Sequence, residues 1–208
     1  MITSDQPIDD QLRQIRQLLR ATMNGTVSHS LREQGLSYRV NFGVDLPRLI
    51  SLTDEIQSSA ALAKELWKTD TRELRLLAPM LMPAAEFDQD LALLWIEQLN
   101  FAEEAQVLAF HLLRHLPYAS DLAFRLVASD RALDRLTAWL ILGRLFMAGA
   151  RPTPRDSDEL LDHLQTELLA TDSDPELRRT ALNTLYKYMD LGPAEEALGE
   201  RILQKIEA

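Results

Sequence analysis

The chain of 208 residues contains no cysteine, which removes disulfides, thiolate nucleophiles and cysteine-ligated zinc together. Any chemistry has to come from carboxylates, His, Ser/Thr, Lys or Tyr. Long apolar runs are also missing, and the longest fall well short of the roughly 20 residues that a bilayer-spanning helix needs. The start, "MITSDQPIDDQ", has neither a basic n-region nor an apolar h-region, so an ordinary secretion signal is not expected and the protein is expected to be cytoplasmic. Sustained alternation of β-branched and polar residues is absent as well, which argues against strands. There is no excess of positive charge: the formal net charge is −10, which opposes indiscriminate binding to phosphate backbones.

The charge is unevenly distributed. Between residues 11 and 48, Arg13, Arg16, Arg20, Arg32, Arg39 and Arg48 face only Glu33 and Asp45, leaving this stretch at +4 and the remainder at −14. Such an asymmetry fits a solvated face or a polyanion-binding surface. Apolar residues make up 46% and charged residues 26%, ordinary values for a folded globular chain.

Helical spacing runs from end to end. In "IDDQLRQIRQLLRATM", residues Ile8, Leu12, Ile15, Leu19 and Met23 recur at steps of four and three, which places them on one face. A short helix in "TVSHSLREQ" ends at Gly35, and the irregular "LSYRVNFGVD" follows. Asp45 and Pro47 then open a regular series of helices, with Leu49, Ile50, Leu52, Thr53 and Ile56 as the first inner face. "AALAKELWK", "TRELRLLAPML", "EFDQDLALLWIEQL" (Leu91, Leu94, Trp95 and Leu99 inward), "AEEAQVLAFHLLRHL", "SDLAFRLVAS", "RALDRLTAWLILGRLFMAG", "DSDELLDHLQTELLAT", "DPELRRTALNTLYKYMDL" and "PAEEALGERILQKI" complete it. Pairs of helices with short breaks, near the roughly 40-residue period of HEAT and armadillo repeats, predict an all-α superhelix, or α-solenoid, of helical hairpins. A globular helical bundle is the competing architecture. The expected organisation is one domain over residues 1–208, with 1–44 as N-terminal helices plus irregular segment and 45–208 as stacked hairpins.

Several constellations carry potential chemistry. His111 and His115 stand at i and i+4, near enough on one helix for a shared metal, but the helix has no H-E-x-x-H pattern and no third ligand nearby. Histidines complementing a helix end account for them, and no metal or cofactor is expected. Glu103 and Glu104 supply adjacent carboxylates that diverge by about 100° on a helix, an arrangement better explained by the helix dipole than by acid–base catalysis. "SHS" at 28–30 lacks the glycines of a nucleophile elbow. Trp67, Trp95 and Trp139 fall at similar points of successive hairpins with Lys68 and Arg135 close by; they either stack on bases or fill seams between hairpins. Arg72 and Glu73 fit a local surface pair as well as a groove lining.

The order "GVDLPRLISLTDEI", "LAKELWKTDTRELRLLAPMLM", "LLWIEQLN" and "DRLTAWLILGRLF" resembles the DNA alkylation repair proteins, the alkylpurine DNA glycosylases built of HEAT-like repeats. The likeness covers roughly residues 10–150 and is densest at Gly43-Val44, Pro47, Leu66-Trp67-Lys68, Arg72-Glu73, Arg75 and Leu77-Ala78. It implies a basic concave face that holds duplex DNA, with Arg32, Arg39, Lys68, Arg72, Arg75, Arg135 and Trp139 as nucleic-acid-binding candidates. In active members it implies an aspartate that stabilises the charged sugar formed as an alkylated purine leaves, with tryptophan and arginine about the lesion. Here Ala102 falls on the tryptophan position, Gln106 on the aspartate and Leu136 on the arginine, with Arg135 one residue away and Glu103 a substitute acid one helical turn off. The expectation is a nucleic-acid-binding solenoid with lost or weakened glycosylase activity. The alternatives are a protein-interaction scaffold that uses the same face for a protein partner, and a glycosylase with rearranged catalytic residues. No membrane association is expected.

Overall fold

The computed structural model describes residues 1–171 and 174–207. Among them there are twelve α-helices and no strands, apart from two isolated bridges, Ile2 with Ile56 and Val40 with Thr71. The chain divides into two compact units, Met1–Asp88 and Gln89–Ala208.

The first unit holds α1 (Ile8–Ala21), α2 (Gly25–Glu33), α3 (Leu46–Thr53), α4 (Ala60–Trp67) and α5 (Arg72–Leu81). Short polar side chains begin three of them: Asn24 accepts from the Val27 N–H, Asp45 from Arg48 and Ser59 from Leu62, each satisfying a donor that the helix start leaves unpaired. Helix α5 is the centre of this unit. It packs on α3 and α4, and nine of its ten residues are buried, so it has no solvated face. Pro79 lies inside it and donates no helical bond to the Arg75 carbonyl; the helix ends two residues on, where Met82 is extended.

The irregular segment before Asp45 is folded against α5. Val40 N–H donates to the Asp70 carbonyl and Arg72 N–H returns to the Val40 carbonyl, at 3.2 and 3.0 Å. Gly43 turns the chain with φ of 71°, and a Cβ there would lie 2.1 Å from the Asn24 carbonyl oxygen. Only glycine satisfies both the left-handed backbone and that close approach.

The second unit holds α6 (Gln89–Glu97), α7 (Ala102–His111), α8 (Ala119–Val127), α9 (Ala132–Met147), α10 (Pro154–Leu169), α11 (Pro175–Met189) and α12 (Pro193–Glu207). Helix α9 is its hub, packing on α6, α7, α8 and α11. Thr153 and Asp156 form a reciprocal capping box at the start of α10, and Asp174 accepts from Glu176 and Leu177 N–H at the start of α11. Proline fills the first turn of both, where its missing donor costs nothing.

Three apolar residues expected inward face solvent. Met23 is 61% exposed because α1 stops at Ala21; Ile50 is 43% exposed on the outer side of α3; Leu94 is 47% exposed because the inner face of α6 is Ala92, Trp95 and Ile96. Conversely, Ile2 is buried, its backbone bridging Glu55 and Gln57.

Replacing Gly43 with alanine is expected to lower stability by more than about 2 kcal/mol, since the new Cβ meets backbone atoms rather than a movable side chain. Urea unfolding of the variant against the parent measures this, and a loss below about 0.5 kcal/mol would refute the steric account.

Candidate nucleic-acid interface and its supporting charges

Several charged residues that look like surface groups in the sequence are structural, Arg72, Glu73 and Arg75 among them. Glu73 is 0% exposed. Its carboxylate accepts the N–H of Phe42 at 3.1 Å and of Val44 at 3.2 Å, so it caps the irregular segment with a charged acceptor. Arg72 Nη1 donates to the Val44 carbonyl at 2.9 Å and lies 3.3 Å from Glu73 Oε1. The expectation of an exposed Arg72–Glu73 pair is therefore corrected: both are buried, because each satisfies backbone groups of the segment that covers them. Arg75 is buried too, its guanidinium 4.3 Å over the Trp67 ring and Nη1 donating to the Trp67 carbonyl at 3.0 Å. Trp67 itself is core.

In the second unit, Arg131 Nη1 donates to the Ile96 carbonyl at 2.8 Å and Nη2 to the Leu99 carbonyl, closing the C-terminal end of α6, while Asp134 pairs with it at 3.1 Å. Arg135 is half-buried: Nε contacts Glu167 Oε2 at 2.7 Å, and Nη1 donates to the Ser129 and Asp130 carbonyls. Leu136 is buried, and so is Trp139 at 1% exposure, with no polar partner for Nε1. The Trp139 ring is thus enclosed in the packing around α9, which leaves it no face for a base. Trp95 is likewise core.

Gln106 sits half-buried on α7 and donates from Nε2 to Glu176 Oε1 at 2.7 Å. Glu104 is buried, accepting the Asn100 N–H at 2.9 Å just before α7; the adjacent Glu103 is half-exposed and points elsewhere. Ala102 is the first residue of α7. No group of three or more His, Asp or Glu is placed to hold a metal ion among the described residues. The pairing of His111 and His115 on one helix is corrected: α7 ends at His111, and His115 belongs to a 3₁₀ turn, Leu113–His115.

The remaining expected contacts are on the surface. Arg32 and Arg39, like Arg20 and Arg48, are exposed and make no ion pair among the described residues, whereas Lys68 is exposed and paired with Glu65 at 2.5 Å. A further group was not found from the sequence. His111, Arg144 and Lys187 each lie in the last turn of a helix, α7, α9 and α11, and the 3₁₀ turn adds Arg114 and His115. The available signal was a cation in the last turn of three alternate helices, one that ordinary helix-end electrostatics hides.

The family of DNA alkylation repair enzymes matches residues 15–178, and the chain belongs to that family. No curated protein matches it. Among solved structures it resembles a protein of a family described as new, related to the HEAT-like repeat DNA glycosylases and with affinity for branched DNA structures. The TM-score is 0.80 at 17% identity, over 93% of this chain and 82% of that one. The fold is therefore the expected all-α HEAT-like solenoid.

Two measurements test the charge assignments. Glu73→Gln, which leaves Arg72 buried without its counter-charge, is expected to cost about 3 kcal/mol in urea unfolding, while Lys68→Ala stays within about 0.5 kcal/mol. Equal effects would contradict the division into structural and surface cations. Burial, then Arg114, His115 and Arg144, hold the His111 imidazole below its ordinary value. Between that lowered value and about 6.5 the unfolded chain binds more protons, so stability is expected to fall as pH drops through this window. His111→Gln should flatten the pH dependence of the urea midpoint.

Proposed function

We propose that this protein binds DNA through exposed cations and carries out little or no base excision. Family membership and the likeness to a fold described with affinity for branched DNA support binding. The observation that carries the reading is the set of exposed guanidiniums, Arg20, Arg32, Arg39 and Arg48, which hold no carboxylate among the described residues of a chain whose net charge is −10. Charges that satisfy no internal group are the ones able to release counterions from a phosphate backbone. Duplex and branched DNA present the same phosphates, and branched DNA adds the geometry that the similar structure is described as favouring.

Weak excision follows from Gln106. A neutral amide at the position that the family resemblance gives to the aspartate cannot offset a developing positive charge at the sugar. One observation favours a second reading, in which excision persists: the amide holds the Glu176 carboxylate at 2.7 Å, so an acid lies beside that position. Glu176 then takes the part of the missing aspartate.

Fluorescence anisotropy with labelled duplex and four-way-junction DNA separates these. Binding at low salt is expected to fall steeply as salt rises, and Arg32→Ala with Arg39→Ala should reduce the slope of log affinity against log salt by about 1.8. Absence of binding at low salt would overturn the proposal. Methylated duplex is expected to release no 7-methylguanine; release that disappears in Glu176→Gln would establish the second reading.

A further inference from the structure

The surface formed by the C-terminal ends of α7, α9 and α11 gathers positive charge without neutralising it. His111 closes α7, Arg114 and His115 follow on the 3₁₀ turn, Arg144 lies in the last turn of α9, and Lys187 in the last turn of α11. Among the described residues, none of the five makes an ion pair with a carboxylate. Their mutual contacts are with one another and with uncharged groups: Arg114 Nε lies 3.0 Å from His115 Nε2, the Arg144 guanidinium carbon stands 3.7 Å from the centre of the Phe110 ring, and Arg144 Nη1 is 3.8 Å from Met147 Sδ. Arg144 Nε is buried and has no hydrogen-bond partner. Gly143 contributes by what it lacks, because a Cβ there would lie 3.2 Å from Lys187 Nζ. The bare backbone lets the Lys187 ammonium rest against α9, next to the residue that carries Arg144.

A single cation at a helix C-terminus is ordinary, since it complements the last carbonyls. Three helix ends converging with five basic groups are not explained by that alone. Burial and the Arg114 charge hold Arg144 below its ordinary value; burial and Arg144 do the same for Lys187; burial and Arg114 do so for His115. The groups therefore repel one another in the free protein. The other charged residues bordering the Lys187 side are Asp190 and Arg151, and Arg151 is already committed to Glu195 at 2.6 Å and to the Leu191 carbonyl.

The geometry points to this cluster as a phosphate-binding site for the nucleic-acid backbone, with Arg144 as its fixed guanidinium and Arg114, Lys187 and the two imidazoles as flanking donors. The stacking on Phe110 fixes the plane of the Arg144 guanidinium before any ligand arrives. A guanidinium so held offers paired N–H donors to phosphate oxygens with little further ordering cost. A phosphate would also remove the repulsion, and its negative charge would favour protonated His111 and His115. Binding then takes up protons, and affinity rises as pH falls below about 6.5. This site rests on the DNA-binding reading and assigns part of that binding to residues of the second unit.

The test uses the full chain with labelled duplex and four-way-junction DNA, in a salt series at about pH 6 and about pH 8. The double substitution Arg114→Gln, Arg144→Gln is expected to weaken binding about tenfold and lower the salt slope by about 1.8. The same charge change at two other exposed positions, Arg155→Gln on α10 with Arg178→Gln on α11, should have a smaller effect. The parent is expected to bind more tightly at the lower pH, roughly threefold, and His111→Gln with His115→Gln should abolish that difference. Arg144→Lys and Arg114→Lys keep the charge but not the paired donors, so they are expected to keep the salt slope while losing part of the affinity; thermal unfolding checks each variant. If the parent binds DNA but the double substitution changes neither affinity nor slope, the site is wrong and the DNA-binding proposal stands. If the parent does not bind, both fall. A shift of the imidazole resonances by inorganic phosphate, with none by DNA, would show a small-anion site and overturn the nucleic-acid assignment.

Discussion

The Glu73 carboxylate is the constraint on which the first unit depends. Burying a charge is costly, and Glu73 offsets that cost by accepting two backbone N–H groups and standing beside the Arg72 guanidinium. Those two donors belong to Phe42 and Val44, on either side of Gly43, so the irregular segment has one geometry in which its polar groups are satisfied. Arg72 meets the same segment from the other side through the Val44 carbonyl. Helix α5 can then be enclosed on all sides even though its first turn carries three charged residues.

The second unit uses charge in a similar way at different places. Arg131 closes the end of α6 on two carbonyls, Arg135 ties the start of α9 to Glu167 of α10, and Glu104 accepts the N–H of Asn100. In each case a long side chain satisfies backbone groups that a helix end or a tight connection leaves unpaired. Stacked hairpins have many such ends, so a HEAT-like chain consumes a large share of its charged residues internally. What remains for a ligand is the subset with no internal partner. That subset includes exposed arginines of the first unit and the basic cluster at the ends of α7, α9 and α11.

Periodicity made most of the architecture legible. Amphipathic spacing, capping residues and proline in first turns located the helices, because those signals arise from local backbone chemistry. The misplaced residues sit where local chemistry stops deciding. Met23 lies past the true end of α1, and Leu94 is rotated off the inner face by a helix start that sequence spacing does not fix. Charge was less legible than shape. Arg72, Glu73 and Arg75 look like a solvated turn because their partners, Phe42, Val44 and Trp67, are brought to them by tertiary contacts. The cluster around Arg144 was invisible for the same reason: residues 111, 144 and 187 meet only because α9 packs between α7 and α11.

The contact between Gln106 and Glu176 bears on the proposal of weak excision, which rests on the family resemblance at position 106. An aspartate at the Gln106 position would place a second carboxylate beside Glu176, and two acids that close cannot both stay ionised without a compensating cation. Glutamine removes the conflict by donating a hydrogen bond instead. In doing so it makes Glu176 a paired acceptor, which lowers the acid's capacity to respond to positive charge forming nearby. On that proposal Gln106 and Glu176 act as a matched pair: Gln106→Asp alone would set two carboxylates against each other before it added any electrostatic stabilisation.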